Sequence, residues 1–342
     1  MLDDPVHGVL VHQTILTPRH CHTKYLYIKI LDVKFKAEPR LTVSVVALVT
    51  LLAPVSWGTT YVAITEMLPD GRPLLVACLR VLPAGLALAG YGLVVQRWRP
   101  RRSEWLRIGV LALLNFGFFF PLLILAIYRL PGGVAASVGG IQPLLVAGIS
   151  FLVRREPIAR RSTAIGVFAA LGVGLVVVRP GAVVDWLGVA AAAAANLSFA
   201  TGVVLTKTWP TPGHKVAATG WQLLIAAAVI TPVMLMVDGQ PPLPDGLELA
   251  GFAYLSLVAT GGAFILWFRG IRMLPTPAPP ILGLAAPVTG AILGWVLLGE
   301  NLTVIQILGF LLTIGAITYA ATHGATPAAA GTRVENRPTR AA

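Results

Sequence analysis

Residues 126–156, AIYRLPGGVAASVGGIQPLLVAGISFLVRRE, align without a gap against residues 270–300, GIRMLPTPAPPILGLAAPVTGAILGWVLLGE. Ile127, Leu130, Pro131, Gly139, Pro143 and Glu156 meet Ile271, Leu274, Pro275, Gly283, Pro287 and Glu300. Chance matches are common between apolar stretches, but the equal spacing of two prolines and a closing glutamate marks a duplication. A further glycine-rich run follows each copy, with Gly166, Gly172 and Gly174 after the first and Gly309 and Gly315 after the second.

Outward from this pair, the chain divides into long uncharged runs. A bilayer core needs about 20 apolar residues in helical form. Runs that qualify are 41–65, 81–96 (extended towards Arg80), 108–128, 130–153, 162–178, 186–206, 216–237, 249–268, 273–299 and 301–322. The predicted fold is an all-α polytopic membrane protein with about ten transmembrane helices. Five spans per half is an odd number, so the halves would insert with opposite topology, as two inverted five-helix repeats over 41–178 and 185–322. Residues 1–40 and 323–342 are expected to be disordered tails.

Lys and Arg sort between alternate connections. Of 26, 22 lie in the two tails and the loops on one side, three (Arg72, Arg129 and Arg179) on the other, and Arg80 within a span. By the positive-inside rule both termini are cytoplasmic, in a multi-pass protein of the cytoplasmic (inner) membrane. Residues 1–40 show no compact apolar core before a small-residue cleavage site, so the first span is expected to act as an uncleaved signal-anchor. The tail cluster His20-Cys21-His22 matches no structural zinc spacing.

Composition agrees. The chain has 342 residues, 56% hydrophobic and 12% charged, with mean hydropathy +0.80. Soluble domains carry roughly 25% charged residues. The net charge of +12 sits in short clusters between apolar runs, not on a basic face interleaved with aromatics, so no nucleic acid is expected as a partner. The expected partners are the lipid bilayer and a small-molecule substrate. Gly290-xxx-Gly294 permits close helix approach, within one molecule or in a homodimer.

Several motifs carry a family resemblance. Trp57-Gly58-Thr59-Thr60-Tyr61-Val62 is followed by Glu66-Met67-Leu68-Pro69, Gly71-Arg72-Pro73 and Leu79-Arg80-Val81-Leu82-Pro83-Ala84-Gly85. With Pro143 and Glu156, and Pro287 and Gly299-Glu300, this resembles an EamA-type permease of the drug/metabolite transporter superfamily over about residues 43–322. The Thr-Thr-Tyr stretch and the Arg-Pro before span two are most similar to its pigment-efflux and amino-acid-exporter branch. The resemblance implies two inverted five-helix repeats and export of amino acids, their derivatives or other amphipathic metabolites without ATP hydrolysis.

Arg80 is the sharpest site candidate, because a charge inside a span costs about 2.5–3.5 kcal/mol on insertion scales and so has a partner or a task. A substrate carboxylate would suit it; the bland alternative is a clamp with Glu66 near the outer surface. Glu66 could titrate in coupling or gating, or rest as an interfacial carboxylate paired with Arg72 or Arg80. Tyr61, Asn115, Gln142, Asn196, Ser198 and Gln222 are uncharged polar positions that could line a path or serve helix packing. Gln222 stands 142 residues after Arg80, at a similar place in the second half. Trp57, Trp221, Trp267 and Trp295 could wall an aromatic cavity, whereas Trp98, Trp105, Trp186 and Trp209 suit interfacial belts. Glu156 and Glu300 read as caps or interfacial salt bridges.

An enzyme is the competing class. The six histidines lie outside or at the ends of spans, and no Asp falls within one, so no paired carboxylates, metal set or nucleophile–base pair can be assembled in the membrane. A Walker loop is absent as well. No cofactor and no metal are expected. The expected function is a secondary exporter working by alternating access, with protons as a candidate coupling ion. A membrane scaffold or a membrane-embedded enzyme stands as the alternative.

Overall fold

The computed structural model describes residues 39–69, 71–130, 140–156, 160–177, 185–210, 213–241, 243–298 and 303–323. The regular elements among them are helical. They are α1 (Pro39–Met67), α2 (Pro73–Val94), α3 (Trp105–Arg129), α4 (Gln142–Arg154), α5 (Arg160–Val177), α6 (Trp186–Thr208), α7 (Lys215–Val237), α8 (Gly246–Met273), α9 (Ala278–Gly283), α10 (Ala285–Leu298) and α11 (Val304–His323). Six stretches are long and apolar enough to cross a membrane: α2, α3, α6, α7, α8 and Ala278–Leu297. The apolar parts of α1, α4, α5 and α11 are shorter. Residues 1–38 and 324–342 of the expected tails, His20-Cys21-His22 among them, lie outside the described residues, as do Arg179 and Glu300.

Local chemistry sets many of the boundaries. Pro73 starts α2, where its missing N–H costs nothing. Asp185 caps α6, accepting from Leu187 N at 2.9 Å and Gly188 N at 3.4 Å. Asp245 and Glu248 form a reciprocal capping box at the start of α8. That helix stops at Leu274, because Pro275 and Pro277 cannot continue it. The ninth predicted span is therefore not one unbroken helix from 273: after the prolines come α9, a break at Leu284, and α10. Likewise the fourth predicted span, 130–153, has its described helix only from Gln142.

Two helices carry π-helical segments, Leu113–Gly117 in α3 and Tyr254–Gly262 in α8. Displaced by the 142 residues that separate Arg80 from Gln222, the first segment falls inside the second. Such segments are rare and are frequent at functional sites.

Helix packing repeats the duplication. The first helix of one half packs on the third and fourth helices of the other: α1 touches α8 and α10, and α6 touches α3 and α4. The second helices α2 and α7 run along one another, and α5 pairs with α11. Close approach of α2 and α7 depends on glycine. A Cβ at Gly220 would stand 2.3 Å from Ala89 N, and one at Gly92 2.4 Å from Ala217 Cβ. Gly290 is likewise used within the molecule, since its added Cβ would meet Gly58 O of α1 at 3.4 Å.

The outer surface is apolar. Leu86, Leu106, Leu152, Leu171, Met236, Leu297 and Leu311 are among many large side chains more than half exposed. A water-facing surface of this kind would be an aggregation liability, whereas lipid accepts it.

Candidate functional site

The deepest charge is Arg80. It lies about two helical turns in from Pro73, and only 2% of its surface is exposed. Its Nε donates to Thr260 Oγ1 at 2.8 Å, and one terminal nitrogen reaches Thr60 Oγ1 at 3.5 Å and Ala259 O at 3.4 Å. The guanidinium lies over the Phe120 ring, 4.4 Å from its centroid, a cation–π arrangement. Among the described residues no carboxylate pairs with it. A buried cation held by hydroxyls, a carbonyl and a ring keeps its position without being neutralised.

Helix irregularities build this cradle. Ala259 and Thr260 belong to the π segment of α8, where the change of hydrogen-bond register turns backbone carbonyls towards neighbouring helices. Ala259 O also accepts from Trp57 Nε1 at 3.0 Å, so Arg80 and Trp57 share an acceptor. Ser256 Oγ of the same segment accepts from Ala84 N at 2.8 Å, beside the kink-prone Pro83 of α2. In α3 a carbonyl of the other π segment is bonded as Ala259 O is by Trp57: Ser198 of α6 donates to Leu114 O at 2.8 Å.

Beside Arg80 stands an aromatic wall. Trp57 lies 4.9 Å from Phe264 and 5.0 Å from Trp267, ring centroid to centroid. Phe116 meets Phe264 at 4.7 Å, and Phe119 stacks on Phe199 at 4.5 Å. Phe264, Trp267 and Phe268 recur at helical spacing on one face of α8, as do Phe116, Phe119 and Phe120 on α3. That spacing was legible in the sequence, but the phenylalanines were not singled out as candidates. Thr60 and Thr260 were missed too, because a threonine in a span usually bonds its own backbone.

The other candidates scatter. Asn115 is fully buried and donates to Thr206 Oγ1 of α6 at 3.4 Å, fitting against Gly202. Asn196 donates back into its own helix, to Ala192 O at 2.8 Å. Trp221 is not at the aromatic wall: its ring packs edge-on against Trp105 at 5.2 Å. Trp295 is half exposed on α10. Gln222 is buried, with Oε1 unpartnered. Gln142, at the first turn of α4, and Trp267 both flank Gly283, and Gln142 Nε2 and Trp267 Nε1 are buried without partners. The side chain of Tyr61 lies outside the described residues.

Glu66 is exposed at the end of α1 and forms neither expected pair. Arg72 instead donates to Gln240 O at 3.0 Å, and Arg80 is committed to its threonines. At the opposite end of the bundle, Arg154 pairs with Glu156 at 2.6 Å and Thr276 donates to Glu156 at 2.9 Å, while Lys207 donates to Leu274 O. This joins the ends of α4, α6 and α8, and Glu156 is the salt-bridge former that its position suggested. No group of three or more His, Cys, Asp or Glu among the described residues could hold a metal.

With the duplicated architecture and a buried cation beside an aromatic wall in place, comparison with known proteins is decisive. The model of the EamA-like transporter family matches twice, over residues 44–178 and 186–322. The chain belongs to the EamA-like transporter family. It is 37% identical to Protein PecM of Dickeya dadantii (strain 3937) over 267 residues, 78% of this chain and 88% of PecM. It is 27% identical to a probable amino-acid metabolite efflux pump of Salmonella typhimurium over 279 residues, 78% of this chain and 91% of that one. A solved crystal structure superposes with a TM-score of 0.68 at 21% identity, covering 84% of this chain and 98% of its own; that likeness concerns the fold alone. This EamA-like protein is thus a multi-pass membrane transporter, and its family consists of transporters and not enzymes.

Proposed function

We propose that this transporter exports small metabolites bearing a carboxylate (amino acids, their derivatives or other amphipathic compounds) across the cytoplasmic membrane. Residues 41–178 and 185–322 act as two five-helix halves of opposite topology, ten spans in all, with both termini in the cytoplasm. They rock about a central site in alternating access, driven by a gradient of protons or another ion. The observation that carries this reading is Arg80, almost fully buried, unneutralised by any described carboxylate and set against an aromatic wall. An uncompensated charge in a membrane interior is costly unless it serves a pathway. A substrate carboxylate would complete the pair, while Trp57 and its aromatic neighbours take the apolar body. Relatives named as efflux pumps favour the outward direction. Glu66 is the proposed coupling or gating carboxylate, and Asn115, Gln142, Asn196, Gln222, Trp221 and Tyr61 lie along or support the path.

The test uses purified protein in liposomes with labelled amino acids and amphipathic carboxylates, with and without a pH gradient. Saturable, gradient-dependent movement that is lost in Arg80→Ala supports the reading. Full transport by a folded Arg80→Ala variant sinks the charge-recognition part.

A further inference from the structure

The connection between α2 and α3 concentrates charge. Residues 95–107 hold five arginines, Arg97, Arg99, Arg101, Arg102 and Arg107, and one acid, Glu104. All five arginines are exposed, and none of them forms an ion pair with a carboxylate among the described residues. Glu104 is spent on the backbone: its carboxylate accepts from Arg101 N at 2.7 Å. Arg107 stands in the first turn of α3, where the helix dipole disfavours a cation, so it does not serve its own helix. The positive-inside rule accounts for the sign of this charge, but it asks only for a count of basic residues and not for a particular surface.

Tertiary contacts gather the stretch into one surface. Arg97 takes a left-handed φ of +48°, and Trp98 N donates to Gly92 O at 3.0 Å, which turns the chain back at the end of α2. The Trp98 indole then lies on Gly213, where an added Cβ would run into the ring. Further on, Trp105 packs edge-on against Trp221 at 5.2 Å. Gly213 and Trp221 are eight residues apart at the start of α7, about 12 Å along a helix. Both ends of the arginine stretch are therefore pinned to one short piece of α7, and the exposed Lys215 of that piece adds a further cation. Charges gathered within about a Debye length, roughly 8–10 Å, act as one field. Exposed apolar side chains border it, Leu93, Val94 and Val95 on one flank and Trp105 and Leu106 on the other. Such flanks set the arginines where hydrocarbon gives way to headgroups.

We infer that this surface binds an anionic phospholipid of the leaflet it faces, with Arg97, Arg99 and Arg107 on the phosphodiester and the acyl chains against Val94, Trp105 and Leu106. Arginine presents a planar fork of donors that meets a phosphate with two parallel bonds. A soluble anion would engage the forks and leave the apolar border unused. A zwitterionic lipid would cover that border and bring no net charge to the field. An anionic lipid matches both. Once bound, it braces α2 against α3, the helices that carry Arg80 and Phe120. The inference stands apart from the transport proposal and does not fall with it.

The experiment uses the full chain, purified and delipidated in a non-ionic detergent. Phosphatidylglycerol and phosphatidylcholine are added at equal concentration, and bound lipid is counted by native mass spectrometry. The wild type takes the anionic lipid with about tenfold preference, the scale for one or two basic side chains at a headgroup. Phosphatidylglycerol also raises its melting temperature, as a ligand of the folded state does. Arg97→Lys, Arg99→Lys and Arg107→Lys together keep the charge and the topological signal but lose the forks, and bring the preference down about threefold. The matching change in the C-terminal tail, Arg333→Lys, Arg337→Lys and Arg340→Lys, leaves it unchanged. Equal binding of the two lipids by the wild type overturns the inference. So does a preference that survives in the folded loop variant, or one that falls as far in the tail variant. A melting shift from glycerol phosphate as large as that from phosphatidylglycerol overturns it too, in favour of a soluble anion.

Discussion

Arg80 and Gln222 stand at matching places in the two halves. Each lies seven residues after the first residue of its helix, Pro73 in α2 and Lys215 in α7. Each helix packs against the π segment of the other half's third helix, α2 on that of α8 and α7 on that of α3. Yet one position holds a cation bound by two threonines and a carbonyl, and the other a neutral amide with an unpartnered oxygen. Duplication provided one scaffold twice, and the charge was placed in only one copy. The lesson is that symmetry in the backbone does not carry symmetry in the chemistry, so a site must be argued from side chains.

The largest effect should come from breaking the shared scaffold. Gly220→Leu drives a side chain into the backbone of Ala89, and no folded protein is expected in fluorescence-detected size-exclusion chromatography. Next, Arg80→Ala should fold and lose about a hundredfold in carboxylate transport, the scale for removing one partner of a buried charged contact. Arg80→Lys should recover only a small part, because an ammonium cannot reproduce the planar fork of donors. If Gln222→Leu had a loss as large as Arg80→Ala, the asymmetry would be wrong; a change under about threefold is expected, since it deletes an acceptor that already lacks a partner. Thr260→Val should fall between the two, as it loosens Arg80 without removing it.

The smallest effect lies outside the spans. The Arg129 guanidinium 2.9 Å away, with the Leu187 amide, holds the exposed Asp185 carboxyl below its usual range. A depressed folded-state value means the contribution is present above the unfolded carboxylate value of about 3.9 and lost as pH falls through the lower folded one. Asp185→Asn should flatten that acid limb of a detergent melting curve and leave the neutral-pH transport rate unchanged.

Much of the scaffold was readable in the chain. Membrane residence followed from apolar run length, and the duplication from the spacing of Pro131, Pro143 and Glu156. The depth of Arg80 followed from its distance to Pro73. Its partners did not: Glu66 was the acid expected to pair with it, but Thr260 lies 180 residues away on a helix whose π segment leaves no plain periodic mark. Trp221 could not be told from Trp57 by composition, because both are tryptophans in the body of a helix and only packing sends one to Trp105 and the other to Phe264 and Trp267.

The sequence by itself determined that this protein lives in a membrane, that it is built twice over, and that one arginine is out of place in an apolar helix. Those properties depend on local hydrophobicity, residue spacing and transfer cost, which are additive along the chain. Only the tertiary structure decided what surrounds that arginine, which aromatic rings form one wall, and which donors remain unbonded. Those depend on how helices far apart in sequence cross, and a crossing is fixed by glycine contacts and shifts of hydrogen-bond register that no single helix reveals.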